Sequence, residues 1–167
     1  MKNINKKGEN KKMEEINFEY FNQSKEKFRA IYFAQKNIYN PYFKQQIALN
    51  SDGFHHLQFS ARKERNKKEQ LLKFSLLPLA FIVIKNSGTI QEYRKGFIGV
   101  GKRGKDGLLK TKNVEYWAFE AIIGKSSIKI RVILRRIGDG NVIFWSVMPH
   151  SKLKGGQKIY TDGIEYE

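Results

Sequence analysis

Cysteine is absent from the 167 residues, which removes disulfide frameworks, thiol nucleophiles, iron–sulfur clusters and thiolate-held zinc. A thiol-free chain fits a reducing compartment, and a cytoplasmic location is the expectation. Long apolar runs are missing too. The longest, Leu76 to Ile84, has nine residues broken by Pro78, about half of the ~20 needed to cross a bilayer. Met1 to Glu15 is charged without an apolar core and does not read as a secretory signal. Acid is scarce: 16 Asp plus Glu stand against 32 Lys plus Arg, a net charge of +16. Such a surplus opposes compaction by self-repulsion, so a polyanion is the first partner to consider, nucleic acid ahead of an anionic membrane surface. Twelve Phe, eight Tyr and two Trp nevertheless provide enough buriable surface for one folded domain.

The positive charge is bunched. Arg62, Lys63, Arg65, Lys67, Lys68 and Lys73 form one group; Arg94, Lys95, Lys102, Arg103, Lys105, Lys110 and Lys112 a second; Lys125, Lys129, Arg131, Arg135 and Arg136 a third, which holds no acid. A single exposed Lys is usually just solvated, but repeated bunching points to a surface that tracks phosphates. Arg62, Lys63, Arg65, Lys102, Arg103, Lys129 and Arg136 are the candidate nucleic-acid-binding residues. Charge alone confers no sequence preference.

Along the chain, residues 1–12 read as a polar disordered arm, 13–160 as one domain and 161–167 as a tail. Apolar spacing from Met13 to about Asn37 predicts one or two helices, with Ser24 a cap for the second. Asn40-Pro41 interrupts them. Residues 46–59 read as a short strand, a Ser-Asp-Gly turn and a second apolar stretch carrying His55 and His56. Asn66 followed by Glu69 predicts a capped helix through Leu77, whereas residues 79–84 could be helix or buried strand. Residues 95–111 contain five glycines and read as a mobile basic loop. Residues 114–123, 127–137 and 142–149, joined by GKSS and GDGN, predict a three-stranded antiparallel meander. In its middle strand Ile128, Ile130, Val132 and Leu134 share one face, expected to pack on helices. Lys129, Arg131, Ile133 and Arg135 share the other, expected to display cations.

Metal chemistry has little footing in this sequence, since the acids are scattered and no HExxH, DxD or His–acid cluster occurs. No cofactor is implied. RNA cleavage by the neighbouring 2′-hydroxyl needs only a base, an acid and donors for the charge on the phosphorane. The histidines His55, His56 and His150 can serve as acid or base, with Glu120 an alternative base. Arg131, Arg135 and Ser146 can form a cationic floor for the phosphate. Each has a plainer reading: the histidines can close a turn or sit in a tail, Glu120 can pair with a basic neighbour, and Trp117 and Trp145 are more often core. The competing function class is a noncatalytic RNA- or DNA-binding protein that stacks bases on Tyr93, Phe97 or Trp117.

The run QIALNSDGFHHLQFS, the basic segment ending in LLKFSLLPLAFIV, the following IQEYR, and YWAFEAII, KIRVILRRIGDG and FWSVMP together resemble the phage and mobile-element branch of the barnase–EndoU–colicin–RelE-like (BECR) nucleases. The resemblance covers residues 43 to 150 and rests on diffuse motifs. It implies an α+β fold with N-terminal helices on an antiparallel sheet of about four strands. It also implies a metal-independent ribonuclease toxin acting on tRNA, mRNA or rRNA. The family's GxxHL element matches Gly53, His56 and Leu57, which favours His56 over His55; Arg131, Arg135 and Ser146 match its basic and hydroxyl strand positions. A toxin implies an acidic antitoxin or immunity protein. The polymorphic-toxin layout, with a long delivery region ahead of the nuclease, is not the expectation here; an intracellular toxin or a mobile-element domain is.

Overall fold

Two asparagines set the helical starts around which the chain is organised. Asn50 Oδ1 accepts from the Gly53 N–H at 3.1 Å, and Asn66 Oδ1 accepts from the Glu69 N–H at 2.9 Å. Each satisfies a backbone donor left orphaned at a helix N-terminus. The computed structural model describes residues 6–60, 63–125, 128–149 and 164, with side chains from Phe18 onward. In chain order the elements are α1 (Lys6–Gln35), β1 (Asn37–Asn40), β2 (Gln45–Ala48), α2 (Ser51–Gln58), α3 (Lys67–Ser75), α4 (Leu77–Asn86), β3 (Glu92–Val100), β4 (Lys110–Ile123), β5 (Ile128–Ile137) and β6 (Ile143–Pro149).

Several expectations change here. The first helix is a single α1 that starts before Met13 and passes through Ser24 without a break. The Ser-Asp-Gly stretch is the first turn of α2 rather than a turn between strands, because the Asn50 cap and Asp52 near the positive helix end favour helix. Residues 79–84 are helical: Pro78 sits in the first turn of α4, where its missing N–H costs nothing, and Leu77, Ala80, Val83 and Ile84 form the buried face. The glycine-rich basic stretch is partly strand, since residues 95–100 lie in β3 and Lys110–Thr111 open β4, leaving 101–109 as the connecting loop. The helix capped by Asn66 and the meander of β4, β5 and β6 match their expectations.

Among the described residues the sheet has six strands, in the order β1-β2-β6-β5-β4-β3. It is mixed, since β2 runs parallel to β6 through the Ala48–Ile143 pair while the other neighbours are antiparallel. The fold is thus α+β, with a larger sheet than the expected four antiparallel strands. The β1–β2 hairpin and the edge strand β3 arise from segments in which breakers and glycines obscure the strand period. Beyond its short pairing with β2, the edge of β6 is covered by α2 and α3.

One face of the sheet packs under the helices. Phe54, Leu57, Phe74, Leu77, Ile84, Phe119, Val132, Leu134, Phe144 and Val147 build that core, each contributing about 1.5–3 kcal/mol by burial. Tyr32 anchors α1 there, fully buried, its hydroxyl donating to the Asn50 carbonyl at 3.0 Å. On the opposite face Val114, Tyr116, Ala118, Ile133, Met148 and Ile164 form a second, smaller cluster. Among the described residues no helix is long and apolar enough to cross a membrane.

Candidate functional site

Strand β6 carries a bulge: Ile133 pairs with Ser146 but Leu134 pairs with Phe144, so Trp145 is the extra residue. A bulge bends its strand and re-aims the inserted side chain. Trp145 consequently meets two groups from other elements. The His56 ring of α2 stacks on it with centroids 3.9 Å apart and planes 19° apart, and the Arg135 guanidinium of β5 lies 3.2 Å from its ring centre. A guanidinium on an indole face is a favourable cation–π contact, strengthened by desolvation.

The cluster is held from below. Lys73 of α3 is buried and donates to Ser146 Oγ at 3.1 Å and to the Val147 carbonyl at 3.2 Å. These bonds satisfy acceptors on the edge of β6 that no neighbouring strand reaches, and they pin the bulge. Arg65 lies inward beside it, its Nε donating to the His56 carbonyl at 3.4 Å and its Nη1 to Glu69 at 2.6 Å.

Arg135 is only 7% exposed, and its Nε has no hydrogen-bond partner among the described residues. Burial pulls its pKa below the usual guanidinium value, while a hydrogen bond with Tyr116 and the charge of Asp52 act the other way. It borders a hollow of about 140 Å³, also lined by Asn50, Asp52, Ile137, Gly140, Asn141 and Ile143. Asp52 and His56 are four residues apart on α2 and so share a helix face.

The sequence-predicted residues therefore separate into groups. His56, Arg135 and Ser146 come together at the bulge. Arg131 and Glu120 are elsewhere and closed on each other: Arg131 Nη2 meets Glu120 Oε1 at 2.7 Å, and its Nη1 lies 3.5 Å from Glu92. The face of β5 expected to display cations instead buries them, Arg131 at 6% and Arg135 at 7% exposure, because carboxylates neutralise the first and an indole covers the second. Arg136 is paired with Glu115 at 2.6 Å. Lys63, Lys102 and Arg103 are exposed and Lys129 is half-buried, whereas Arg62 and His150 lie outside the described residues. His55 is exposed on the other side of α2, stacked on Phe59.

Sequence reasoning missed Lys73, Asp52 and Tyr116 as parts of this site and took Trp145 for core. The one signal for Asp52 was its spacing from His56, which becomes informative only once the segment is read as a helix. Lys73 looked like one more surface lysine. No family model, no curated protein and no solved structure matches this chain.

Proposed function

We propose that the protein is a metal-independent endoribonuclease of the BECR kind, cleaving RNA by attack of the neighbouring 2′-hydroxyl. The observation that supports this most is the small hollow that Arg135 lines together with Asp52, its Nε without a partner among the described residues, while the indole of Trp145 is held between the Arg135 guanidinium and the His56 ring. Such a cleavage needs two proton-transfer groups and a positive donor. In this reading His56 and Asp52 exchange the protons of the 2′-hydroxyl and the leaving 5′-oxygen. Arg135 donates to the phosphorane. Ser146, fully buried under Lys73, holds the bulge instead of touching substrate. The Arg131–Glu120–Glu92 network joins three strands and is structural.

A noncatalytic nucleic-acid binder is the second reading, favoured by the exposed cations Lys102, Arg103 and Lys105 in the β3–β4 loop. In the toxin reading, a neutralising partner would be acidic and would cover these cations.

The test is incubation of the purified protein with RNA in EDTA beside His56→Gln and Arg135→Lys, with the new ends assayed for 2′,3′-cyclic phosphate. Cyclic ends from the wild type, reduced at least a hundredfold in both variants at unchanged thermal midpoint, support the enzyme. Intact RNA held in a salt-sensitive complex, with no cleavage in translating extract either, replaces it with the binder.

A further inference from the structure

The sheet face that carries Arg135 continues toward β3 into a groove of about 300 Å³, lined by Arg94, Gly96 and Ile98 of β3 and by Val114 and Tyr116 of β4. The groove adjoins the candidate site, because Tyr116 pairs across the ladder with Arg135. Its walls are chemically divided. Gly96 and Ile98 offer the accessible apolar side, Val114 and Tyr116 a nearly buried floor, and Arg94 a cation at the rim. Arg94 contacts Glu92 at 3.0 Å yet keeps 53% of its side chain exposed, and Glu92 is itself engaged by Arg131 at 3.5 Å.

Gly96 is the informative residue. Glycine weakens a strand interior and commonly marks a bulge, a bend or a place where a ligand comes close. Here it is regularly paired with Val114, and its φ is not among the positive ones. A Cβ at Gly96 would meet nothing nearer than Val114 Cγ1 at 3.9 Å, an ordinary contact. Neither backbone conformation nor packing requires glycine there, but any side chain would fill the groove.

We infer that this groove is a nucleotide subsite for single-stranded RNA, taking an unpaired base next to the cleaved bond, with Arg94 on an adjoining phosphate. The inference rests on the ribonuclease reading for the position of that bond. A narrow, largely apolar slot with a cation at its rim suits a base that can be splayed out, whereas a paired base cannot enter it. The cations Lys102 and Lys105 of the β3–β4 loop lie beyond the same strand and extend the path for the phosphate backbone.

Gly96→Val tests this. Fluorescence anisotropy would compare binding of an unstructured RNA oligonucleotide with binding of the same sequence annealed into a duplex, at fixed salt. The wild type should prefer the single strand. Gly96→Val should weaken single-strand binding about tenfold, leave duplex binding as it was, and leave the thermal midpoint unchanged or higher, since valine suits a strand. If the midpoint falls, Gly96→Ala provides the smaller filling and should give a smaller loss. Unchanged single-strand affinity, an equal loss for duplex, or no wild-type affinity for the oligonucleotide would overturn the subsite. Cleavage in EDTA with unchanged Gly96→Val affinity removes the subsite and keeps the enzyme; lost affinity in a protein that never cleaves keeps the groove and removes the enzyme.

Discussion

Gly53 sits where α2 crosses closest to β6. A Cβ at that position would collide with the Phe144 carbonyl oxygen and lie 2.7 Å from the Tyr32 hydroxyl. The hydroxyl is fixed by its bond to Asn50, so neither neighbour yields cheaply. Gly53→Ala should therefore push α2 away from β6 and carry the His56 ring off Trp145. We expect a loss of about 1–3 kcal/mol by chemical denaturation, in the range of overpacked cores, together with altered tryptophan fluorescence. The same geometry explains a sequence pattern. Gly53 permits the close approach, Leu57 is fully buried against the core, and His56 faces Trp145, so the three positions of the GxxHL element have distinct physical duties. His55, one residue earlier, faces away because neighbouring helical side chains diverge by about 100°.

Among the elements, the β4–β5 ladder is held at the end nearer the bulge by Glu115, which receives two hydrogen bonds from Arg136 and one from the Tyr93 hydroxyl. Desolvation, the largest single influence, raises the Glu115 carboxyl pKa. The Tyr93 and Arg136 hydrogen bonds, with the charges of Arg136 and Lys95, outweigh it and hold the carboxyl below its usual value. A carboxyl with a depressed folded pKa adds stability that is present above its unfolded pKa, about 4.3. That stability is lost as pH falls through the lower folded value. Glu115→Gln should thus cost up to about 1 kcal/mol at pH 7, a modest figure because the pair is partly exposed. Denaturation curves at pH 7 and at about pH 3 should show the difference between variant and wild type shrinking in acid. Across the sheet, on β6, α3 performs the equivalent duty through buried Lys73. Its helix was legible from Asn66 and Glu69, but the burial of its lysine was not, since the acceptors lie on β6, far along the chain.

For the molecule as a whole, the charge of +16 is unevenly used. Arg65, Arg131, Arg135 and Arg136 are tied into carboxylates, a carbonyl or an indole, whereas Lys102 and Lys105 stand exposed in the β3–β4 loop. The exposed cations should dominate the salt dependence of RNA binding. Lys102→Glu with Lys105→Glu should weaken binding across sequences and reduce the slope of log affinity against log salt by about two, roughly one for each phosphate no longer neutralised. Anisotropy titrations at several salt concentrations measure that slope. The thermal midpoint should hardly move, because neither side chain is buried.

The sequence by itself determined what depends on near neighbours or on totals. Turn chemistry at Gly138-Asp139-Gly140-Asn141 and β-branched flanks determined the β4–β5–β6 meander, a local cap determined α3, and composition determined the positive field and the absence of thiol chemistry. The tertiary structure alone decided which charges remain in water and which side chains meet. Arg131 and Arg135 occupy one face of one strand, yet one faces carboxylates and the other an indole, because the cross-strand partners come from different segments. The six-strand sheet also belongs to this level, since β2 joins β6 across most of the chain through a single parallel pair. Periodicity shows which way a side chain points. Only packing decides what it points at, and the meeting of His56, Trp145 and Arg135 is of that second kind.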